Sequence, residues 1–209
     1  MAAVALALYI AFGVLALGGR CWMQWRRTGS TGYRGISRRL GFIGLAGGIA
    51  FIVAMVGGLA APLLQLVGVV SPLEILDNRW VNAAGLVLAV CALAATMYAQ
   101  LDMGDSWRVG VDPSETTTLV RTGAFKVVRN PIFVAMFVFI LGQTLLAPNP
   151  VAIAVFAIFL VAVEISVRTV EEPYLLGVHG DAYRDYSARV GRFVPGIGLI
   201  PNRGRRIPS

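Results

Sequence analysis

Five long stretches of the chain carry almost no charge, and this pattern limits the fold more than any other feature. They are residues 4–19, 41–70, 81–100, 131–147 and 151–167. A helix needs about 20 apolar residues to cross the roughly 30 Å hydrocarbon core of a bilayer. The first three stretches reach or approach that length, and the last two need flanking residues to complete a span. We therefore expect an all-α integral membrane protein with about five transmembrane helices.

The composition and the last two stretches refine this expectation. Charged residues make up only 14% of the chain, whereas a soluble domain carries nearer a quarter. Between the last two stretches lie Pro148, Asn149 and Pro150. A residue before proline is disfavoured in a helix, so only a tight turn fits there. The sequence predicts a C-terminal helical hairpin.

The basic residues indicate how the helices are oriented. Three groups of Lys and Arg follow the first, third and fifth stretches, at 20–39, 108–129 and 168–206, and only Arg79 falls on the other side. Cytoplasmic loops of membrane proteins carry an excess of Lys and Arg. We expect the N-terminus outside and the C-terminus in the cytoplasm, in a plasma membrane of bacterial type. Anionic lipid headgroups explain the net charge of +7 without nucleic-acid binding.

The chain divides into two parts by chemical character. Residues 1–100 are predicted to form a three-helix scaffold, whereas residues 101–209 hold most polar groups, in two stretches at 101–133 and 164–198. The hairpin should bring these two stretches to the same end of one helix pair. Cys21 and Cys91 have no CxxC or histidine partner, so neither a metal site nor a disulfide is expected.

Arg129, Asn130 and Pro131 stand directly before the fourth apolar stretch. Proline is favoured at the first helical position and asparagine as an N-cap, so these residues have a structural interpretation as a helix start. Arg129 is then an anchor at the membrane interface. The free amides of a helix start also suit a ligand carboxylate, which keeps a functional interpretation open.

A second charged group ends the fifth stretch. Glu164 precedes Arg168 by four residues, and Glu171 and Glu172 follow it by three and four. On a helix, all three carboxylates can reach the face of the arginine. A salt-bridge network is one interpretation. Because ionisable groups beside membrane spans are candidates for function, we favour a site for a zwitterionic or cationic ligand.

Aromatic residues follow this charged group. Tyr183 and Tyr186 share a helical face, and they either belong to an interfacial aromatic belt or stack on a ligand and close its pocket. His179, the only histidine, lies between Gly177 and Gly180. It is predicted to be an exposed loop residue rather than a general base.

Taken in order, these motifs resemble the isoprenylcysteine carboxyl methyltransferase family and related membrane phospholipid N-methyltransferases. The family pattern G-x-Y-x-x-x-R-H-P-x-Y is similar to Gly123, Phe125, Arg129, Asn130, Pro131 and Phe133 here. The pattern R-x-x-E-E is similar to Arg168, Glu171 and Glu172, and the tail of the family to Gly180, Tyr183, Tyr186, Arg192, Phe193 and Pro195. The likeness covers roughly residues 100–198.

The chain departs from the family pattern at three positions. Asn130 replaces the histidine, and Phe125 and Phe133 replace the two tyrosines of the first motif. Asparagine forms hydrogen bonds but does not exchange a proton near neutral pH, so this position is not expected to act as a base.

The resemblance implies an S-adenosylmethionine site and a lipophilic methyl acceptor that arrives laterally from the lipid. Its implied cofactor-binding residues are Gly123, Phe125, Arg129, Asn130, Pro131, Phe133, Glu171, Glu172, Tyr183 and Tyr186, and its implied catalytic residues are Arg168 and Glu172. A glutamate, Glu171 or Glu172, is expected to bind the amino or ribose groups of the donor. Arg129 or Arg168 is expected to bind its carboxylate as a bidentate pair.

Two other functions remain open at this point. One is a nicotinamide-dependent membrane reductase of sterol or polyprenol type, although the acidic pair Glu171 and Glu172 suits a cationic donor better than a phosphate-rich cofactor. The other is a non-catalytic membrane protein that keeps the fold, which Asn130 makes credible. The acceptor atom, whether of a carboxylate, a thiol or an amine, and the oligomeric state are not determined by the sequence.

Overall fold

The computed structural model describes residues 1–33, 41–110 and 118–201, and within them the fold is all-α. The long helices are α1 (Ala2–Thr28), α2 (Gly41–Leu66), α3 (Arg79–Asp102), α4 (Pro131–Leu146) and α5 (Pro150–His179). A short helix, α6 (Asp181–Ser187), follows. Single turns of 3-10 helix occupy Gly104–Ser106 and Gly123–Lys126. The predicted fold class is confirmed.

Four of these helices, α1, α2, α3 and α5, are long and apolar enough to cross a membrane, and α4 is a shorter apolar helix. Both α1 and α5 extend past the predicted apolar stretches, because each continues through a π-helical segment, Gly13–Gly19 in α1 and Val167–Glu171 in α5. The charged residues that follow these two apolar stretches therefore lie within α1 and α5. Helices α1, α3 and α5 terminate, and α4 starts, at the same side of the bundle. We call this side the basic end.

The predicted hairpin between α4 and α5 is present, and Asn149 organises its turn. The Asn149 Oδ1 accepts a hydrogen bond of 2.9 Å from the Ala152 backbone N–H and so caps α5. Its Nδ2 donates to the Gln65 side chain at 2.8 Å and to the Ala61 carbonyl at 3.2 Å. Since Ala61 and Gln65 belong to α2, this buried side chain also fixes the hairpin against its neighbour.

The helices pack across the boundary between residues 1–100 and 101–209. Among the described helices, α3 makes its main contact with α4, and α2 makes its main contact with α5. The core between them holds Phe139, Leu146, Phe159, Val163 and Val167, all almost fully buried. The predicted division is therefore one of chemical character, and the two parts share one core.

Glycines allow α3 and α4 to approach each other closely. A Cβ atom on Gly142 would lie 2.7 Å from the Ala89 backbone nitrogen and 2.8 Å from the Gly85 carbonyl oxygen. Because these neighbours are backbone atoms, they cannot move aside as a side chain could. Small residues are typical of membrane helix contacts, where association depends on close packing rather than on the hydrophobic effect.

At the basic end, α1 holds the segment that follows α3. The buried Arg20 donates to the Gly104 carbonyl and lies over the Trp107 ring, 4.9 Å from its centre. Gln24 donates to the Asp105 carbonyl at 2.8 Å. These contacts fix residues 104–107, and they thereby place the next residue, Arg108, against α5.

We expect Gly142→Ala to destabilise the bundle by about 2 kcal/mol, since the added methyl group forces α3 and α4 apart. The measurement is thermal unfolding of the purified protein in detergent micelles. Gly13→Ala is the matched control, because no atom lies within 4 Å of a Cβ at Gly13 and alanine favours a helix. Equal unfolding temperatures for the two variants would contradict the close contact.

Candidate active site

The two predicted polar stretches meet at the basic end. The Arg129 backbone N–H donates to the Gly191 carbonyl at 2.8 Å, and the Asn130 N–H donates to the Arg192 carbonyl at 3.2 Å. Val128 and Gly191 form an isolated parallel bridge. The chain just before α4 is thereby paired with the segment after α6.

A buried ion cluster holds this junction together. Both oxygens of Glu172 accept hydrogen bonds from Arg192, Oε1 from Nε at 2.7 Å and Oε2 from Nη2 at 2.9 Å. Oε1 also accepts one from the Arg129 Nη2 at 2.6 Å. The side chains of Arg129 and Glu172 are only 2% and 10% exposed. The hydrogen bonds to Glu172 raise the pKa of Arg192 above its usual value, so the Arg192 guanidinium remains charged.

Arg129 also binds three backbone carbonyls. It donates to Ser187 at 3.1 Å, to Val190 at 2.5 Å and to Gly198 at 3.0 Å. Together with Glu172, these partners engage both terminal nitrogens of the guanidinium group. Arg129 therefore joins α5 to the end of α6 and to the segment behind it, which gives the side chain a structural role in the described structure.

Phe125 and the two tyrosines form a second buried contact. The Tyr186 hydroxyl donates to the Phe125 carbonyl at 2.5 Å, and burial raises the pKa of Tyr186 to about 12, so the phenol stays protonated. The Tyr183 and Tyr186 rings meet edge to face, with their centres 6.2 Å apart. Burial, and after it the charge of Glu172, raises the pKa of Tyr183 as well. Both rings lie inside the protein and not in an interfacial belt.

Gly123 connects this region to α3. Its φ of +56° is a left-handed conformation that favours glycine. A Cβ here would meet the Asp102 carboxylate at 2.1 Å, and that carboxylate accepts a hydrogen bond of 2.7 Å from the Ala124 N–H. The last residue of α3 therefore fixes the turn that carries Phe125.

The structure refines the predicted helix start of α4. Pro131 is its first residue and Asn130 its N-cap residue, as predicted, but the Asn130 side chain makes no capping hydrogen bond. Its Nδ2 donates instead to the Arg192 carbonyl at 3.1 Å. Phe133 packs against the hydrophobic core. The asparagine at the position of the family histidine thus binds backbone of the C-terminal segment.

The carboxylates predicted around Arg168 are separated in the structure. Arg168 forms an ion pair with Glu164 on its own helix, with side chains 57% and 41% exposed. Glu172 faces Arg129 and Arg192 instead. The expected sharing of Arg168 by all three acids is therefore wrong, because the long-range arginines bind Glu172 inside the protein.

Two functional candidates, Arg108 and His179, were missed or misread in the sequence. Arg192, which completes the ion cluster, was indicated by its R-F-x-P motif but was not among the implied binding residues. Arg108, beside α5, gave no signal in its local sequence. His179 was predicted to lie exposed in a loop, but it is the last residue of α5 and is half-buried. Across residues 1–33, 41–110 and 118–201, no group of acidic, His or Cys side chains is placed to hold a metal ion.

We expect Glu172→Gln to destabilise the protein by about 3 kcal/mol, because it leaves two buried arginines without a compensating charge. Thermal unfolding in detergent measures the effect. Glu164→Gln removes an acid from an exposed pair on the same helix and should cost less than about 1 kcal/mol. If the two substitutions lower stability equally, the Glu172 cluster does not hold the junction.

Comparison with known proteins agrees with this architecture. The sequence model of the phospholipid methyltransferase family matches residues 80–182. Protein-S-isoprenylcysteine O-methyltransferase of Rattus norvegicus is 28% identical over 126 residues, which cover 59% of this chain and 44% of the rat protein. The corresponding protein of Schizosaccharomyces pombe is 36% identical over 120 residues, covering 57% and 50% of the two chains. The chain thus spans about half the length of these relatives.

A solved structure shares the fold. The eukaryotic intramembrane Ras methyltransferase, isoprenylcysteine carboxyl methyltransferase, superposes with a TM-score of 0.50 at 21% sequence identity, over 78% of this chain and 54% of that chain. The resemblance predicted from the motifs is confirmed. The chain is a multi-helix membrane protein related to the isoprenylcysteine carboxyl methyltransferases, and its residues 80–182 match the phospholipid methyltransferase family.

Proposed function

We propose that this chain is a membrane methyltransferase that transfers the methyl group of S-adenosylmethionine to a lipophilic acceptor at the basic end. The observation that carries the proposal is the junction built on Glu172. Through Arg129 and Arg192 it joins the motif before α4 to the tail after α6, and these are the motifs that resemble the methyltransferases. The family match at residues 80–182 includes α4, α5 and most of the connecting segments.

The surroundings of the junction suit this chemistry. Methyl transfer is an in-line displacement that needs aligned reactants and little acid–base assistance, so positioning and exclusion of water supply much of the rate. The junction lies at the ends of helices whose outer faces are apolar, including Leu101 of α3 and Val161 of α5. A lipophilic acceptor is therefore able to reach it from the bilayer.

Within this proposal the predicted binding residues have different tasks. Arg129, Asn130, Glu172 and Tyr186 are bound to other parts of the protein, and we assign them to the wall of the site. Gly123, Phe125, Pro131, Phe133 and Tyr183 shape the same wall. Glu171 is the acid that we assign to the ammonium group of the donor. Arg168 is exposed near the end of α5, and we keep it as a candidate residue to bind the carboxylate of the donor.

We further propose that the basic end faces the cytoplasm. Arg26, Arg27, Arg168 and Arg189 lie at this end, and the excess of arginine on one side follows the positive-inside rule. With this orientation the N-terminus, at the start of α1, lies on the opposite side of a bacterial-type plasma membrane. The donor, a soluble metabolite, then reaches the site from the cytoplasm.

Binding measurements separate the candidate functions. We expect calorimetry on protein in lipid nanodiscs to detect S-adenosylmethionine and S-adenosylhomocysteine, and no binding of NADPH. Binding of NADPH alone would support the reductase and exclude the methyltransferase. Binding of neither cofactor class would indicate a non-catalytic relative. A transfer assay with radiolabelled S-adenosylmethionine and extracted membrane lipids then tests the reaction itself.

A further inference from the structure

Two basic side chains at the C-terminal end of α5 have buried nitrogen atoms without a hydrogen-bond partner among the described residues. They are Arg108, in the segment after α3, and His179, the last residue of α5. Arg108 lies over the Tyr174 ring, with its guanidinium carbon 4.9 Å from the ring centre. In the described part of the chain, neither the Arg108 Nη1 nor the His179 Nε2 has a hydrogen-bond partner, and neither touches solvent.

Unpaired buried donors are unfavourable, so this arrangement needs an explanation. A buried donor without an acceptor costs about 1–3 kcal/mol, and a charged one costs more. Arg108 packs over Tyr174 of α5, and Glu171 and His179 lie three residues before and five residues after Tyr174 on the same helix. An anion between Arg108 and His179 would satisfy both nitrogen atoms, with the imidazole proton of His179 on Nε2.

The neighbouring carboxylate of Glu171 restricts the chemical class of ligand that can bind at this position. Glu171 is next to Glu172 in sequence and lies about one turn of α5 before Tyr174, which Arg108 covers. When ionised, Glu171 would repel a simple anion that Arg108 attracts. A ligand that carries both a carboxylate and an ammonium group matches both charges, because Glu171 can bind the ammonium while Arg108 and His179 bind the carboxylate.

We propose that Arg108 and His179 form a carboxylate subsite which, together with Glu171, binds the α-amino acid end of the methyl donor. This inference rests on the proposed function and assigns new residues to it. The two nitrogen atoms are buried in this structure, so binding requires the groups around them to move. Arg108 is held in position by the contacts of Arg20 and Gln24 with the residues just before it.

The test compares two adenosyl ligands that differ in the amino acid end. S-adenosylhomocysteine has this end, and 5′-methylthioadenosine lacks it. By calorimetry in nanodiscs, Arg108→Gln and His179→Ala should each weaken S-adenosylhomocysteine binding about tenfold, the loss expected for one charge-assisted hydrogen bond. Binding of 5′-methylthioadenosine should stay unchanged. Arg108→Lys, which keeps the charge, should lose less than Arg108→Gln.

Arg184→Gln is the matched control, since Arg184 is exposed and pairs only with Asp181 among the described acids. It should bind both ligands as the unmodified protein does. Variants of Arg108 and His179 that keep full affinity for S-adenosylhomocysteine would overturn the subsite and leave the proposed function intact. Equal weakening of both ligands would also overturn it, because the residues would then act through the fold. Failure of the unmodified protein to bind S-adenosylhomocysteine would instead reject the proposed function.

Discussion

The buried carboxylate of Glu172 is the interaction on which the basic end depends. It is bound by Arg192 through two hydrogen bonds and by Arg129 through a third. Removing these charges from water is costly, and the cost is recovered only when the geometry is good and the remaining donors are satisfied. The carbonyls of Ser187, Val190 and Gly198 accept hydrogen bonds from the terminal nitrogens of Arg129, whereas its Nε has no partner among the described residues. The cluster therefore fixes three segments of chain relative to one another.

The helix bundle provides the frame for this cluster. In a bilayer, lipid tails are as apolar as the side chains, so helices associate by close packing and by hydrogen bonds between polar groups. The contact of Gly85 with Gly142 shows the first mechanism. The buried Asn149, which bonds both α5 and α2, shows the second. Since α4 and α5 are fixed against α3 and α2, the segments that extend from their ends meet in one place.

The sequence predicted which residues belong to the site better than it predicted which of these residues bind one another. The motifs before α4 and after α5 correctly indicated that Arg129, Glu172 and Arg192 belong to one region. Helical spacing suggested Arg168 as the partner of Glu172, because residues four apart share a helix face. Spacing describes only local neighbours, and two arginines from distant segments bind Glu172 instead. His179 was misread for a similar reason, since flanking glycines predict a turn but say nothing about burial.

The sequence by itself determined the membrane fold, the hairpin and the grouping of charge at one end. These follow from local physics: long apolar stretches must cross a bilayer as helices, and a Pro-Asn-Pro turn must reverse the chain. Only the tertiary structure decided which arginines neutralise Glu172, that Tyr183 and Tyr186 are buried, and that Arg108 lies over Tyr174. The pairings join residues 20 to 66 positions apart in the chain, and they depend on how whole helices pack, which no local pattern encodes.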